Sequence, residues 1–296
     1  MLNLDALQVL DAIARRGSFA AAAAERDRAP SAVSYSIQKL EEDVGALLFD
    51  RSGRKARLTA AGELLLHGGR QLLQQAANLG QQARALETGW ESRITVAMDV
   101  IFPPSLLWPM VQRFDGAAPG TTLRLISEAL GGGWEALAEG RAAICVGGRP
   151  DSTLPGVRVQ EIGQSQFLYV ASPDHPAVKM GLLDSHQLSR FRGIAVADTS
   201  RSNPARTIRL THLQPTLTVS DFQSKASALE AGLGIGTLPV NIARPLLDSG
   251  RLVLLQVDTP PAPFPVYMGW RVDSAGKGLR WLIRHLPEYL TASATL

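Results

Sequence analysis

Apolar positions in the first sixty residues recur at three- and four-residue steps, the spacing of one face of a helix. Leu4, Leu7, Val9, Leu10, Ile13 and Ala14 form one such stripe and predict a helix ending near Arg16 and Gly17. Ser18 then stands where a cap would open a second, short helix, "FAAAAAERD". Its alanines favour the helix and let neighbours come close. After a break at Arg28 and Ala29, Pro30 suits the first turn of a third helix, where its missing N–H costs nothing. Val33, Ile37, Leu40 and Val44 are expected to face inward along it. The stretch "PSAVSYSIQKLEEDVG" therefore opens on a small, hydroxyl-rich surface that packs no core. Ser31, Ala32, Ser34, Tyr35 and Gln38 make up that surface, and Glu41, Glu42 and Asp43 follow a turn later.

The period then lengthens. Leu58, Leu65, Leu72, Leu79 and Leu86 recur every seventh residue, with Gly62, Gly69, Ala76 and Ala83 four positions after the first four of them. This predicts a long helix over 59–90, whose seam of Leu65, Gly69, Leu72, Ala76, Leu79 and Ala83 alternates leucine with very small residues. At about 1.5 Å per residue, 59–88 would span roughly 45 Å. Gly68 and Gly69 weaken such a helix by about 1 kcal/mol each. Pairing with a second copy is the expected remedy, and packing against the chain's own remainder is the plainer alternative.

From Arg93 onward the pattern alternates between strand and helix. β-rich runs are "RITVAMD", "TLRLIS", "AAICVGG", "FLYVAS", "GIAVADT", "LTVSD", "GIGTLP" and "FPVYMGW". Helical stretches such as 106–114, 133–140 and 224–231 lie between several of them. The expectation is open parallel α/β sheets in two lobes. Lobe I takes 93–162 and 268–296, lobe II takes 163–267, and the chain crosses near Gln164 to Phe167 and Pro265 to Met268.

Composition narrows the function classes. The 296 residues are 45% apolar, enough for a sizeable core. A net charge of +3 permits a nucleic-acid partner without arguing for one. Cys145 is the only cysteine, which excludes an internal disulfide and any cysteine-based metal site. No apolar run reaches the length of a membrane span. Asp5 and Asp11 interrupt the N-terminal apolar stretch, so it does not read as a signal peptide. A soluble, cytoplasmic protein is expected. The glycines of "AGLGIGTLP" are not spaced as GxGxxG, no P-loop or GxSxG occurs, and the five histidines lack ligand spacing. No enzyme, metal or cofactor is expected. A solute-binding protein or a small-molecule enzyme with an accessory helical domain remains the rival reading.

Candidate chemistry lies first on the third helix. Short hydroxyls at a helix N-terminus can approach phosphates, and Gln38 can pair bidentately with adenine. Two short helices feeding such a third form a helix-turn-helix, with the third in the major groove of DNA. Serine-rich helix starts are also ordinary caps. "LFDRSGRKARLTAAG" then packs Arg51, Arg54, Lys55 and Arg57 around Gly53, as a wing flanking the groove would. A solvated basic loop is the alternative there.

The segment "RRGSFAAAAAERDRAPSAVSYSIQKLEEDVGALLFDRSGRKARLTAAG" resembles the DNA-binding region of LysR-type transcriptional regulators. Gly17-Ser18-Phe19, Ala22-Ala23, Ser31, Ala32-Val33-Ser34, Ile37, Leu40-Glu41, Leu48-Phe49, Arg51, Arg54 and Leu58-Thr59-x-x-Gly62 carry the match. Pro30 and Tyr35 depart from the usual pattern, so base contacts there do not carry over. "GRAAICVGG", "FRGIAVADT" and "AGLGIGTLP" resemble the YhaJ-like branch. The resemblance implies a winged helix-turn-helix over 1–58 and a dimerisation helix over 59–90. It also implies an effector domain over 91–296 similar to periplasmic binding proteins. The partners it implies are double-stranded DNA, a small-molecule effector, a homodimer assembling into a homotetramer, and RNA polymerase, with no membrane.

In open α/β sheets ligands bind beyond the carboxyl ends of strands. That selects Asp99, Val100, Ile101 and Phe102 after the first strand, Ser127 and Glu128 after the second, and Gly148 and Arg149 after the third. Lobe II adds Thr199, Ser200, Arg201, Asp221 and Phe222. The effector is expected to be a small, partly aromatic molecule gripped by apolar contact and by Arg149 or Arg201. The alternative makes these arginines rim residues and leaves Phe102 and Phe222 in the core.

Overall fold

The structure, a computed structural model, describes residues 2–50, 56–118, 120–201, 214–272 and 276–291. The expected wing cations Arg51, Arg54 and Lys55 lie outside the described residues. Two compact units meet within one helix, the first ending at Gln81 and the second beginning at Gln82.

The first unit opens with α1 (Leu4–Arg16), α2 (Phe19–Glu25) and α3 (Pro30–Val44). Each boundary has a local cause. Asn3 accepts from Asp5 N and Ser18 from Ala21 N, satisfying amides that a helix start leaves bare. Gly17 and Gly45 end α1 and α3 in the left-handed region at φ 73°, which glycine adopts without strain. Val33, Ile37 and Leu40 are fully buried against α1 and α2, but Val44 is exposed, contrary to the expected stripe. Glu41 is buried in its place. Its carboxylate accepts from Leu48 N at 2.8 Å and Phe49 N at 3.3 Å, holding the wing strand to the helix. The wing itself is β1 (Phe49–Asp50) paired antiparallel with β2 (Arg57–Leu58).

Helix α4 (Ala60–Thr88) begins on Thr59, whose Oγ1 donates to Leu47 O and accepts from Gly62 N. A side chain at Gly62 would place its Cβ 2.1 Å from Leu48 O, so only glycine fits there. The start of α4 is not a free linker. Leu65, Leu66 and Leu73 pack on the α1–α3 core, and Gly69 lies against the Leu7 side chain. Further along, Leu72, Ala76, Leu79 and Ala83 are exposed.

The second unit holds two lobes. Lobe I has a five-stranded sheet in the order β4-β3-β5-β12-β6, formed by β3 (Arg93–Asp99), β4 (Thr122–Glu128), β5 (Ile144–Gly147), β6 (Val157–Ser165) and β12 (Phe264–Arg271). β3 runs parallel to β4 and β5, whereas β12 is antiparallel to β5 and β6. The sheet is therefore mixed rather than parallel. Because Ser165 pairs with Phe264, lobe I continues past 162 and resumes before 268. Helices α5 (Trp108–Ala117), α6 (Gly132–Ala138) and α10 (Lys277–Thr291) cover it.

Lobe II carries β7 (Phe167–Ala171) flanked antiparallel by β10 (Gly236–Pro239) and β11 (Val253–Leu254), with β8 (Gly193–Val196) parallel to β9 (Thr216–Val219). Here too the expected all-parallel sheet gives way to mixed pairing. Its helices are α7 (Ser185–Ser189), α8 (Phe222–Glu230) and α9 (Val240–Asp248). Among the described residues, no helix is long and apolar enough to cross a membrane.

Candidate nucleic-acid interface and effector cleft

On α3 the inward positions are sealed into the core, which turns Ser31, Ala32, Ser34, Tyr35 and Gln38 to solvent. Tyr35 is 66% exposed, its ring left free of the core. Ser34 Oγ donates to Pro30 O at 3.0 Å, so its lone pairs face outward as acceptors. Gln38 Nε2 donates to Glu42 Oε1 at 3.3 Å, which steadies the amide across one turn. Several arginines of this unit are held by carboxylates. Arg26 and Arg28 bind Asp5, and Arg15 and Arg16 bind Glu25. The guanidinium of Arg28, aided by Arg26, holds the Asp5 carboxyl below the usual range against a smaller opposing effect of burial. Arg70 of α4 reaches Asp11 at 2.7 Å, tying that helix to α1.

The lobes meet at the carboxyl ends of β3 and β4. Glu128, the last residue of β4, is 8% exposed and accepts from Thr199 Oγ1 of lobe II and from Arg141 Nη1 at 3.3 Å. Thr199 Oγ1 in turn accepts from Ala129 N at 2.9 Å. Gly132 makes room for this contact, since a Cβ there would lie 2.0 Å from Thr199 Oγ1. Asp198 Oδ1 accepts from Gly131 N and Ser200 N, and Glu135 accepts from Arg201 N at 2.6 Å. Residues 198–201 are thus latched onto 128–135. A second tie is Asn241 Nδ2 donating to Ile101 O at 3.1 Å.

Asp99 ends β3 beside this latch, with Oδ1 accepting from Ile101 N at 3.0 Å and Oδ2 lying over Gly147. Burial pushes its carboxyl up to about 7, with the nearby charge of Asp198 adding to the rise and the Ile101 N–H opposing it. Gly148 also belongs here, its carbonyl accepting from Trp134 Nε1 at 2.8 Å. Burial raises the Cys145 thiol well above its usual range, so that sulfur is unreactive packing.

Of the expected effector residues, the structure brings together Asp99, Glu128, Gly148, Thr199 and Ser200. Ile101, Phe102 and Phe222 are core side chains, 5–8% exposed, with Val100 packed against the same cluster. Asp221 uses its carboxylate to cap α8, accepting from Ser224 N at 2.7 Å. Arg149 and Arg201 are exposed, at the rim, and Ser127 is exposed on β4. Asp198, Glu135, Arg141 and Asn241 were not singled out by the strand-end rule. Asp198 lay within its reach, one residue before Thr199, whereas Asn241 opens a helix and gives no local signal.

Residues 4–63 match the family described as "Bacterial regulatory helix-turn-helix protein, lysR family", and residues 87–291 match "LysR substrate binding domain". The chain belongs to the LysR family of transcriptional regulators. It is 40% identical to the probable HTH-type transcriptional regulator YhaJ of Escherichia coli K12, over 97% of this chain and 96% of that protein. With the HTH-type transcriptional regulator PunR of the same strain it shares 33% identity over 98% and 93%. The fold is that of full-length CbnR complexed with its target DNA, at TM-score 0.63 and 18% identity, covering 97% of this chain and 100% of that one. CrgA of Neisseria meningitidis gives a TM-score of 0.53 at 23% identity over 98% and 99%. A LysR regulator is a DNA-binding protein with an effector-binding domain rather than an enzyme, and the YhaJ-like pieces of the sequence agree with the first of these relatives.

Proposed function

We propose that this LysR regulator reads a dyad-symmetric DNA site with the outward face of α3 and responds to a small molecule held between its two α/β lobes. One observation carries the DNA part. Ser31, Ala32, Ser34, Tyr35 and Gln38 are all exposed on a helix whose other side is sealed into the core. Such a face has no use in packing and the right reach for phosphates and base edges. Arg51, Arg54 and Lys55 would flank the groove from the wing.

Dimers form through the exposed stretch of the α4 seam, Leu72, Ala76, Leu79 and Ala83, and assemble into tetramers. Leu65 and Gly69 serve the head of their own chain. The effector meets Asp99, Glu128, Gly148, Thr199 and Ser200, with Arg149 and Arg201 at the rim. Binding there shifts the population of latched and open lobes, which alters subunit packing and the placing of the heads on DNA. The protein acts on DNA in the cytoplasm, and bound beside a promoter it is positioned to touch RNA polymerase.

The test is selection of genomic fragments by the full-length protein, repeated with a metabolite pool added. A two-fold symmetric consensus whose recovery changes with the pool is expected. Recovery of unrelated sequences in both arms would remove the DNA reading.

A further inference from the structure

We propose that the effector carries an ammonium or amidinium group that donates hydrogen bonds to Asp99. This rests on the reading that the effector binds between the lobes, and it names the chemistry of that ligand.

The argument is a balance of donors and acceptors around the latch. Four of the backbone donors along the latch are already engaged. Gly131 N and Ser200 N bind Asp198, Ala129 N binds Thr199, and Arg201 N binds Glu135. What remains is acceptor capacity. Asp99 Oδ1 takes the Ile101 amide, but among the described residues no donor reaches Oδ2. Asn241 Oδ1 is buried without a partner, and its orientation is fixed because Nδ2 must face the Ile101 carbonyl. Ser200 Oγ is likewise buried and unpartnered. Buried polar atoms left in this state are costly, and a ligand that satisfies them gains what the empty site forgoes.

Charge points the same way. Asp99 stands beside Asp198, and Glu128 closes the neighbouring strand end. Arg141 Nη2 is a buried donor without a partner, but its guanidinium already faces two carboxylates, Glu128 and Glu139. Against Asp99, Asp198 and Glu128 a carboxylate ligand meets like charge, whereas a cation with several N–H groups meets opposite charge and open acceptors.

Calorimetric titration of the full-length protein with benzylamine, benzamidine and benzoate separates these cases. The variants are Asp99→Asn, which keeps the oxygen that accepts from Ile101, and Gly148→Phe. Nothing lies within 4 Å of a Cβ at Gly148, so a ring added there beside the site meets open space and no backbone strain. Thermal unfolding checks that both variants fold. The expected result is millimolar or tighter binding of the two cations, at least tenfold weaker in Asp99→Asn and lost in Gly148→Phe, with no benzoate binding. Failure of both cations to bind overturns the proposal, as does equal binding by wild type and Asp99→Asn. Benzoate binding that Gly148→Phe abolishes overturns the ligand's charge and leaves the cleft standing. Binding that Gly148→Phe leaves unchanged takes down the cleft reading itself.

Discussion

At the scale of single residues, Gln38 and Arg54 are expected to fail differently. Gln38→Ala should cost about 1–3 kcal/mol of binding and relax preference at one base position. Arg54→Ala should weaken binding to all sequences and lower the salt slope by about one. Affinity measured over a salt series on matched and single-substituted duplexes distinguishes the two. Asp99 gives a pH prediction. Its folded-state value of about 7 is raised above the ordinary 3.8, so the fold binds that proton more tightly than the unfolded chain does. Stability associated with it is full below about 4 and lost as pH rises through 7. Asp99→Asn cannot ionise, so its stability advantage over wild type should grow across that window, to at most about 4 kcal/mol, and level off above it. Melting curves between pH 4 and 8 measure this.

Legibility at this scale followed local rules. The outward face of α3 was readable because helical spacing fixes it once Val33, Ile37 and Leu40 are buried. That Asp99, Glu128 and Thr199 stand where the lobes meet was readable from strand ends. Phe102 and Phe222 were not, because a large ring after a strand is core or cleft depending on what the rest of the lobe places over it. The burial of Glu41 was not legible, since a carboxylate late in a helix normally faces water; the amides of Leu48 and Phe49 that it accepts from help make that burial tolerable.

At the scale of elements, the join between wing and α4 depends on Gly62. Gly62→Ala would drive a methyl into Leu48 O and should destabilise the helix-turn-helix head by about 1–3 kcal/mol or more, read as a lower first transition in denaturation. On the far half of α4, Leu79→Asp sets a charge on the proposed seam without touching the protomer core. It should yield monomers in sedimentation at concentrations where wild type is oligomeric. The heptad pattern announced α4 but not its division of labour, because leucines packed on the head and leucines left exposed look alike in sequence. The sheets were misjudged for a related reason. β12 comes from near the chain's end and inserts antiparallel between β5 and β6, a pairing that local alternation cannot reveal. β6 escaped because it is an edge strand whose residues are mostly exposed, so its sequence lacks an apolar stripe.

At the scale of the whole molecule, the latch between 128–135 and 198–201 ties the two lobes together, so the proposed effector would act on lobe geometry through it. Thr199→Val removes the hydroxyl shared by Glu128 and Ala129 and leaves a buried carboxylate short of a donor. Looser lobes, seen as faster amide exchange in 128–135, are expected, together with a weaker response of DNA binding to effector. The two-part plan itself, a helical head followed by alternating strands and helices, was legible throughout, since each unit keeps its own hydrophobic period. The most direct measurement of the central claim is fluorescence anisotropy of a selected operator duplex titrated with wild type, Tyr35→Ala and Gln38→Ala. Both variants should lose affinity for the operator, with Gln38→Ala no longer distinguishing a duplex altered at one base pair. Wild-type affinity and wild-type discrimination in both would show that this face of α3 does not read DNA.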